Sequence, residues 1–203
     1  MSDIFFEILS GLPVLLIRDF YSELELNAIF DEIIYLSNID IFKDATDIVG
    51  TGSALYEGSL LRSGKRISLD QVFNTIRSES NILKITRKLF KKETTDLLEK
   101  YHLFFKYLGK SSDDYTSLNY YTDGDYYKAH TDTAVITAIS FFNIEPKGYK
   151  GGDFILEHKL KIPCSNNSLI VFPSIMLHEV TPIIMHNFDA NMGRYSITQS
   201  IKM

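Results

Sequence analysis

After Ser111 the apolar residues of this 203-residue chain begin to alternate one by one with polar ones, and that change of period limits the fold more than any other feature. Successive side chains of an extended segment point to opposite faces, so a period of two marks half-buried β-structure. The segments Tyr115–Tyr121, Tyr126–His130, Ala134–Asn143, Gly152–His158, Ser168–Phe172, His178–Ile184 and Arg194–Ile201 read as strands. Gly124, Gly148, Gly151-Gly152, Asn166-Asn167, Pro173 and the segment Asn191–Gly193 punctuate them as turns. Seven short strands with regular turn signals predict a β-sandwich or a double-sheet jelly roll.

The front of the chain reads differently. Pro13–Phe20 is a short apolar run consistent with a buried strand. Ser22 followed by Glu25 has the pattern of a capping box, in which the hydroxyl accepts from the third helical N–H and the carboxylate accepts from the cap's own. The helix it opens extends through about Leu36, with Leu26, Ile29, Phe30, Ile33 and Ile34 on one face. Further helices are expected over Leu69–Ser78, Asn81–Phe90 and Thr94–Leu108. From Asp44 to Lys65, four glycines lie among Ser and Thr, which reads as a long loop or loose hairpin, either a lid or plain disorder. No repeat, low-complexity tract or Pro/Gly linker divides the chain. The expectation is one α+β domain over 1–203, with 1–110 as helical support and lid, and 111–203 as a jelly-roll core.

Composition narrows the function classes. An apolar content of 45% over 203 residues is enough for one domain, burying about 70% of the surface its unfolded chain exposes. The net charge of −5 and the absence of an extended basic block argue against general nucleic-acid binding. The basic cluster Lys84–Lys92 alternates with Ile85, Leu89 and Phe90, the pattern of the wet face of an amphipathic helix. Cys164 is the only cysteine, so no intrachain disulfide can form. Asp3 and Glu7 stand where a signal peptide would be basic, and Glu7, Gly11 and Pro13 break the apolar runs, so neither export nor membrane spanning is expected. A cytoplasmic setting is the default, and Asn166-Asn167-Ser168 reads as a turn rather than a glycosylation site.

One constellation carries chemistry. His130 and Asp132 are two residues apart at the end of a strand, so both can face one ion. Taken alone the spacing is weak, since such pairs are common on surfaces. His178 follows an apolar strand and a Pro-Ser turn and supplies a third donor. Two histidines and one carboxylate suit a facial triad for non-haem iron(II), which leaves coordination positions open. In the last strand Arg194, Ser196, Thr198 and Ser200 share one face, while Tyr195, Ile197 and Ile201 share the other, with Gln199 the polar exception. If the apolar face packs on the rest of the protein, Arg194 looks inward. A buried guanidinium needs an anion, and with neighbouring hydroxyls it makes a clamp for a dicarboxylate.

The ordered set Tyr121-x-x-Gly124-x-x-Tyr127-x-x-His130-x-Asp132, Phe141-Phe142-Asn143, Gly151-Gly152, His178-Glu179-Val180 and Arg194-x-Ser196 resembles the iron(II)/2-oxoglutarate-dependent dioxygenases, in particular the prolyl 4-hydroxylases. The likeness covers about Tyr115–Ile201, and more loosely Asp19–Ile34. It implies a double-stranded β-helix core, with Fe(II) held by His130, Asp132 and His178 as the catalytic centre. It further implies 2-oxoglutarate bound by Arg194 with Ser196 and Tyr121, Tyr127 lining the pocket, O2 as oxidant, and ascorbate as an optional reductant. The implied activity hydroxylates a substrate C–H bond and yields succinate and CO2. Phe141 stands where several relatives have tyrosine, and Ser200 where many have tryptophan; both departures bear on the substrate rather than on the iron chemistry.

A peptidyl proline is the first expected substrate. A free amino acid or other small metabolite is the alternative, and the sequence leaves oligomeric state open. Two further readings stand beside these: an inactive jelly-roll binding module, and a cupin-type metalloprotein that needs no keto acid. The first leaves no reason to retain all four of His130, Asp132, His178 and Arg194, and the second gives Arg194 no partner.

Overall fold

The structure is a computed structural model that describes residues 6–8, 11–44, 47, 55–56 and 59–203. Its strands and helices run β1 (Phe6–Ile8), β2 (Leu15–Ile17), α1 (Glu23–Asn38), β3 (Lys43–Asp44), β4 (Leu55–Tyr56), β5 (Ser59–Leu60), β6 (Lys65–Ser68), α2 (Leu69–Val72), α3 (Asn81–Thr86) and α4 (Lys92–Tyr101). There follow β7 (Asp113–Tyr121), β8 (Tyr127–His130), β9 (Ile136–Phe142), β10 (Tyr149–Gly151), β11 (Phe154–Leu156), β12 (Leu160–Ile162), β13 (Ser168–Pro173), β14 (His178–Val180), β15 (Ile183–Met185) and β16 (Arg194–Lys202). All strand pairs are antiparallel.

Two sheets form the jelly roll. The major sheet has eight strands in the order β1-β2-β13-β9-β16-β7-β6-β3, and the minor sheet has four in the order β12-β11-β14-β8. Between them Leu16, Phe141, Phe154, Ile170 and Phe172 make one apolar layer. On the outer face of the major sheet Leu15, Leu118, Tyr195, Ile197 and Ile201 pack against Ile29, Ile33, Ile82 and Leu98 of the helices. This second layer is what the one-sided alternation of β16 required: its apolar face is covered by helices, and the other face looks between the sheets. Gln199, on the helix side, is buried with its Nε2 unpartnered.

Local signals explain most boundaries. The Ser22–Glu25 capping box is present, with Ser22 N–H donating to the Glu25 carboxylate at 2.8 Å and Glu25 N–H donating to the Ser22 hydroxyl. Within the basic cluster, Lys88 pairs with Glu25, Arg87 with Asp114 and Lys92 with Asp96. No helix among the described residues is long and apolar enough to cross a membrane.

Several expected boundaries need correction. The helix expected over Leu69–Ser78 stops after Val72, where Asn74 and Thr75 bond to each other rather than continue the ladder. The Asn81–Phe90 helix tightens to 3-10 form after Thr86, whose hydroxyl back-bonds to the Ile82 carbonyl. Thr94–Leu108 is broken at His102, extended in backbone, whose Nδ1 accepts the N–H of Phe104 and starts a 3-10 turn instead. His178–Ile184 is two strands in two sheets, parted at Pro182, which has no N–H to give a ladder. Gly152–His158 shrinks to β11, because Glu157 and His158 turn with positive φ into β12. The front of the chain is also less helical than expected, lending β1, β2, β3 and β6 to the major sheet. Of the expected Asp44–Lys65 loop, β4 and β5 pair as a short hairpin and Lys65 opens β6, while residues 45–46, 48–54 and 57–58 lie outside the described residues.

Candidate metal centre

His130 closes β8, His178 opens β14, and the two are direct partners in the antiparallel ladder. Directly paired residues project to the same face, so their rings meet, with centroids 4.1 Å apart. Asp132 lies two residues beyond β8, its N–H donating to the Ser174 carbonyl at 2.9 Å. Its Oδ1 is 3.8 Å from His130 Nε2 and its Oδ2 is 3.6 Å from His178 Nε2. One donor atom from each residue falls within 4.8 Å of the others. Two imidazole nitrogens and a carboxylate oxygen on one side of a point can hold a divalent iron and leave its other side open.

The surroundings orient these donors. His130 Nδ1 lies 2.8 Å from the Lys128 carbonyl, and His178 Nδ1 lies 2.9 Å from the Met176 carbonyl. A carbonyl only accepts, so each Nδ1 carries the proton and each Nε2 turns its lone pair toward the common point. The Thr137 hydroxyl donates to Asp132 Oδ2 at 2.8 Å and is itself 2.8 Å from the Ser174 hydroxyl. Tyr127 stacks on His130 with centroids 3.7 Å apart and planes 14° from parallel. Burial, helped by the adjacent His178 ring, pushes the His130 imidazole down to about 4, so the ring is neutral and ready to ligate near pH 7.

Arg194 is only 1% exposed and lines the same cavity as the triad. Its guanidinium carbon is 5.4 Å from the Tyr121 ring centre and 5.1 Å from that of Phe141. Its Nε and Nη1 have no hydrogen-bond acceptor. A buried, unpaired guanidinium among aromatic rings calls for an anionic ligand with acceptor oxygens. The chain stem lies over Gly152, where a Cβ would come 3.1 Å from Arg194 Cδ. Ser196 and Tyr121 line the cavity beside it, each largely buried. Nearby Tyr149, pushed up to about 12 by burial, feels the arginine's charge. All six residues expected from the sequence, His130, Asp132, His178, Tyr121, Arg194 and Ser196, therefore face one cavity of about 1080 Å³.

Other residues at the site were not foreseen. Arg62, 1% exposed, forms an isolated bridge to Tyr127, with its guanidinium carbon 5.7 Å from that ring. Its Nε and Nη2 lack acceptors. Thr137 and Ser174, which steer Asp132, sit on or next to strands whose residues are buried on both faces. Arg62 had one sequence signal: it ends the apolar pair Leu60-Leu61, just before Gly64, where the chain must re-enter the sheet.

The family model of the 2OG-Fe(II) oxygenase superfamily matches residues 116–202. No curated protein matches the chain. Among solved structures it is similar to a prolyl-4-hydroxylase from Pseudomonas putida, at 15% identity and TM-score 0.61, covering 96% of this chain and 94% of that one. It is also similar to a prolyl hydroxylase from Trichoplax adhaerens in complex with a hypoxia inducible factor oxygen degradation domain peptide fragment, at 19% identity and TM-score 0.64, covering 96% and 85%. A third is the viral collagen prolyl hydroxylase of Paramecium Bursaria Chlorella virus-1 in its 2OG complex, at 14% identity and TM-score 0.54, covering 96% and 98%. At these identities the likenesses speak for the fold. The superfamily uses Fe(II), 2-oxoglutarate and O2, which accords with a nitrogen–nitrogen–carboxylate donor set beside an unpaired buried guanidinium. Residues 116–202 thus match the 2OG-Fe(II) oxygenase superfamily, and the fold around them is shared with solved prolyl hydroxylases.

Proposed function

We propose that the chain is an Fe(II)- and 2-oxoglutarate-dependent hydroxylase, with His130, Asp132 and His178 as the iron ligands and the prolyl 4-hydroxylase type of reaction on a peptidyl proline as its activity. The observation that carries this reading is the unpaired Arg194 facing the same cavity as the three converging donors. The overall reaction joins one oxygen atom of O2 to the substrate carbon and the other to 2-oxoglutarate, which leaves as succinate and CO2. Bound iron supplies the oxygen activation.

The chain's own residues do the rest. Arg194 grips the distal carboxylate of 2-oxoglutarate through two parallel N–H donors, with Ser196 and Tyr121 offering hydroxyls beside it. Lys128 and Met176 carbonyls hold the imidazole protons on Nδ1, so neither ring drifts to the wrong tautomer. Thr137 leaves one Asp132 oxygen occupied and the other free to ligate. Tyr127 covers one face of His130 and keeps water from it. Residues 1–203 act as one domain, in a cytoplasmic setting that suits a chain with one free thiol.

A small polar metabolite is the second reading, favoured by the hydroxyl and amide side chains of Ser117, Asn119 and Thr198 along the cavity floor. The deciding experiment adds Fe(II) and 2-oxoglutarate to the protein without oxygen and looks for the weak visible band of a chelated keto acid. Succinate formation across proline-containing peptides and free amino acids then separates the two substrates. A colourless mixture with no metal uptake would leave the inactive binding module as the better reading.

A further inference from the structure

Lys43 and Arg66 are direct partners in the β3–β6 ladder. Arg66 in turn pairs with Asn119, and Asn119 with Ser196, so four strands contribute one row of side chains to one face. All four line the cavity that holds the triad. Two like charges directly opposite on adjacent strands repel, and a chain with a net charge of −5 has no general need of them. Among the described residues neither cation has a carboxylate within ion-pair distance, and Asp47 is the only acid on the cavity wall besides Asp132. Arg66 is half-buried, its guanidinium carbon 5.7 Å from the Tyr115 ring, and its buried Nε has no acceptor. One row further along the same wall, the Ser117 hydroxyl is buried and also unpartnered.

We propose that Lys43 and Arg66 form an anion subsite that recognises an acidic group on the substrate, two strands away from the arginine assigned to 2-oxoglutarate. β16 and β6 are separated by β7, which sets Arg66 about 10 Å sideways from the Arg194 strand. The two sites therefore read two different anions. A carboxylate between Lys43 and Arg66 relieves their repulsion and supplies acceptors for Arg66 Nε, while the uncharged remainder of the substrate extends over Ser117 and Asn119 toward the metal ligands. The acid is a side chain of a peptide substrate or the carboxylate of a small metabolite. This inference rests on the oxygenase reading above.

The test measures binding without turnover. Fluorescein-labelled proline peptides carrying glutamate near the proline are compared with their glutamine twins by anisotropy, and free amino acids with their amides by thermal shift. The expected result is a preference of about tenfold for the acid form in one of the two arms, the equivalent of one charge-assisted contact. That arm names the source of the acid. The preference should vanish in the Lys43→Gln/Arg66→Gln double variant and persist in Lys43→Arg/Arg66→Lys, which keeps both charges and shows that the pair still folds. Equal binding of acid and amide in both arms, or a preference that survives loss of both cations, overturns the subsite. Failure of the keto-acid absorption band in the wild-type protein would instead overturn the oxygenase reading, because the acid preference is read independently of it.

Discussion

Arg194 stands directly across the β16–β7 ladder from Tyr121, with its guanidinium carbon 5.4 Å from the centre of the tyrosine ring. That pairing lets a buried cation persist without an anion: the ring faces of Tyr121 and Phe141 offset part of its desolvation. The offset is partial, because a desolvated charge costs several kcal/mol, and the remainder is available to bind a carboxylate.

Replacing Arg194 by Met should separate binding from folding. The thioether fills the space of the stem and removes a buried unpaired charge, so the ligand-free protein should melt at the same temperature or higher. Its affinity for 2-oxoglutarate should fall by at least about 30-fold, the lower end of what removing one partner of a buried charge pair costs. Thermal melting with and without 2-oxoglutarate reads both effects. A variant that keeps its ligand-induced shift would remove Arg194 from the co-substrate site.

Thr137→Val tests the support of Asp132. Valine keeps the shape and β-propensity of threonine but loses the 2.8 Å hydrogen bond to Oδ2 and leaves the Ser174 hydroxyl without that partner. Loss of such a contact behind a metal ligand costs about 10–100-fold in metal affinity. Titration with Co(II), followed by its visible absorption, should show weaker binding while circular dichroism remains native. Unchanged cobalt affinity would mean that Asp132 is held by its backbone bond to Ser174 alone.

What the sequence made legible follows from how local each signal is. The capping box at Ser22 and Glu25 closes within four residues, so it survives any tertiary context. The orientation of Arg194 could be read because, Gln199 apart, β16 is apolar on one face and polar on the other over nine residues. The same reasoning fails for Thr137, since every residue of β9 is buried and no alternation reveals which face it takes. Arg62 reaches the site through a single bridge to Tyr127, a pairing 65 positions away that no local pattern encodes. The division of His178–Ile184 had a local mark in Pro182, but the sheet each half joins was hidden, because partners far along the chain set it, β11 and β8 for β14 and β10 for β15.

The ligand-free protein should lose stability as the medium is acidified from about pH 6.5 to about pH 4. His130 is held near 4 by burial, whereas in the unfolded chain its imidazole titrates near the ordinary 6.5. Between those values the unfolded state binds a proton that the folded state refuses, so stability falls as pH falls through this window; above 6.5 the group makes no difference. Melting temperatures across this range should show the slope, and His130→Gln should flatten it. A wild-type profile no steeper than that of the variant would mean that His130 titrates normally in the folded protein.

Two glycines with similar backbones allow strain and crowding to be told apart. Gly124 and Gly152 both have positive φ, +79° and +63°. An alanine in the left-handed region costs about 1–2 kcal/mol whatever surrounds it. At Gly124 a Cβ meets nothing within 4 Å, so Gly124→Ala should cost that amount and no more, and should leave 2-oxoglutarate affinity near wild type. At Gly152 the added carbon overlaps Ile183 Cδ1 and comes 3.1 Å from Arg194 Cδ. Ile183 is buried beneath it, so overpacking adds about 1–3 kcal/mol to the backbone strain. The arginine stem is the more movable neighbour and should be displaced. Gly152→Ala should therefore be the less stable of the two variants by denaturant unfolding, and it alone should bind 2-oxoglutarate more weakly. Equal losses of affinity in both would trace the effect to the backbone strain they share rather than to contact with Arg194.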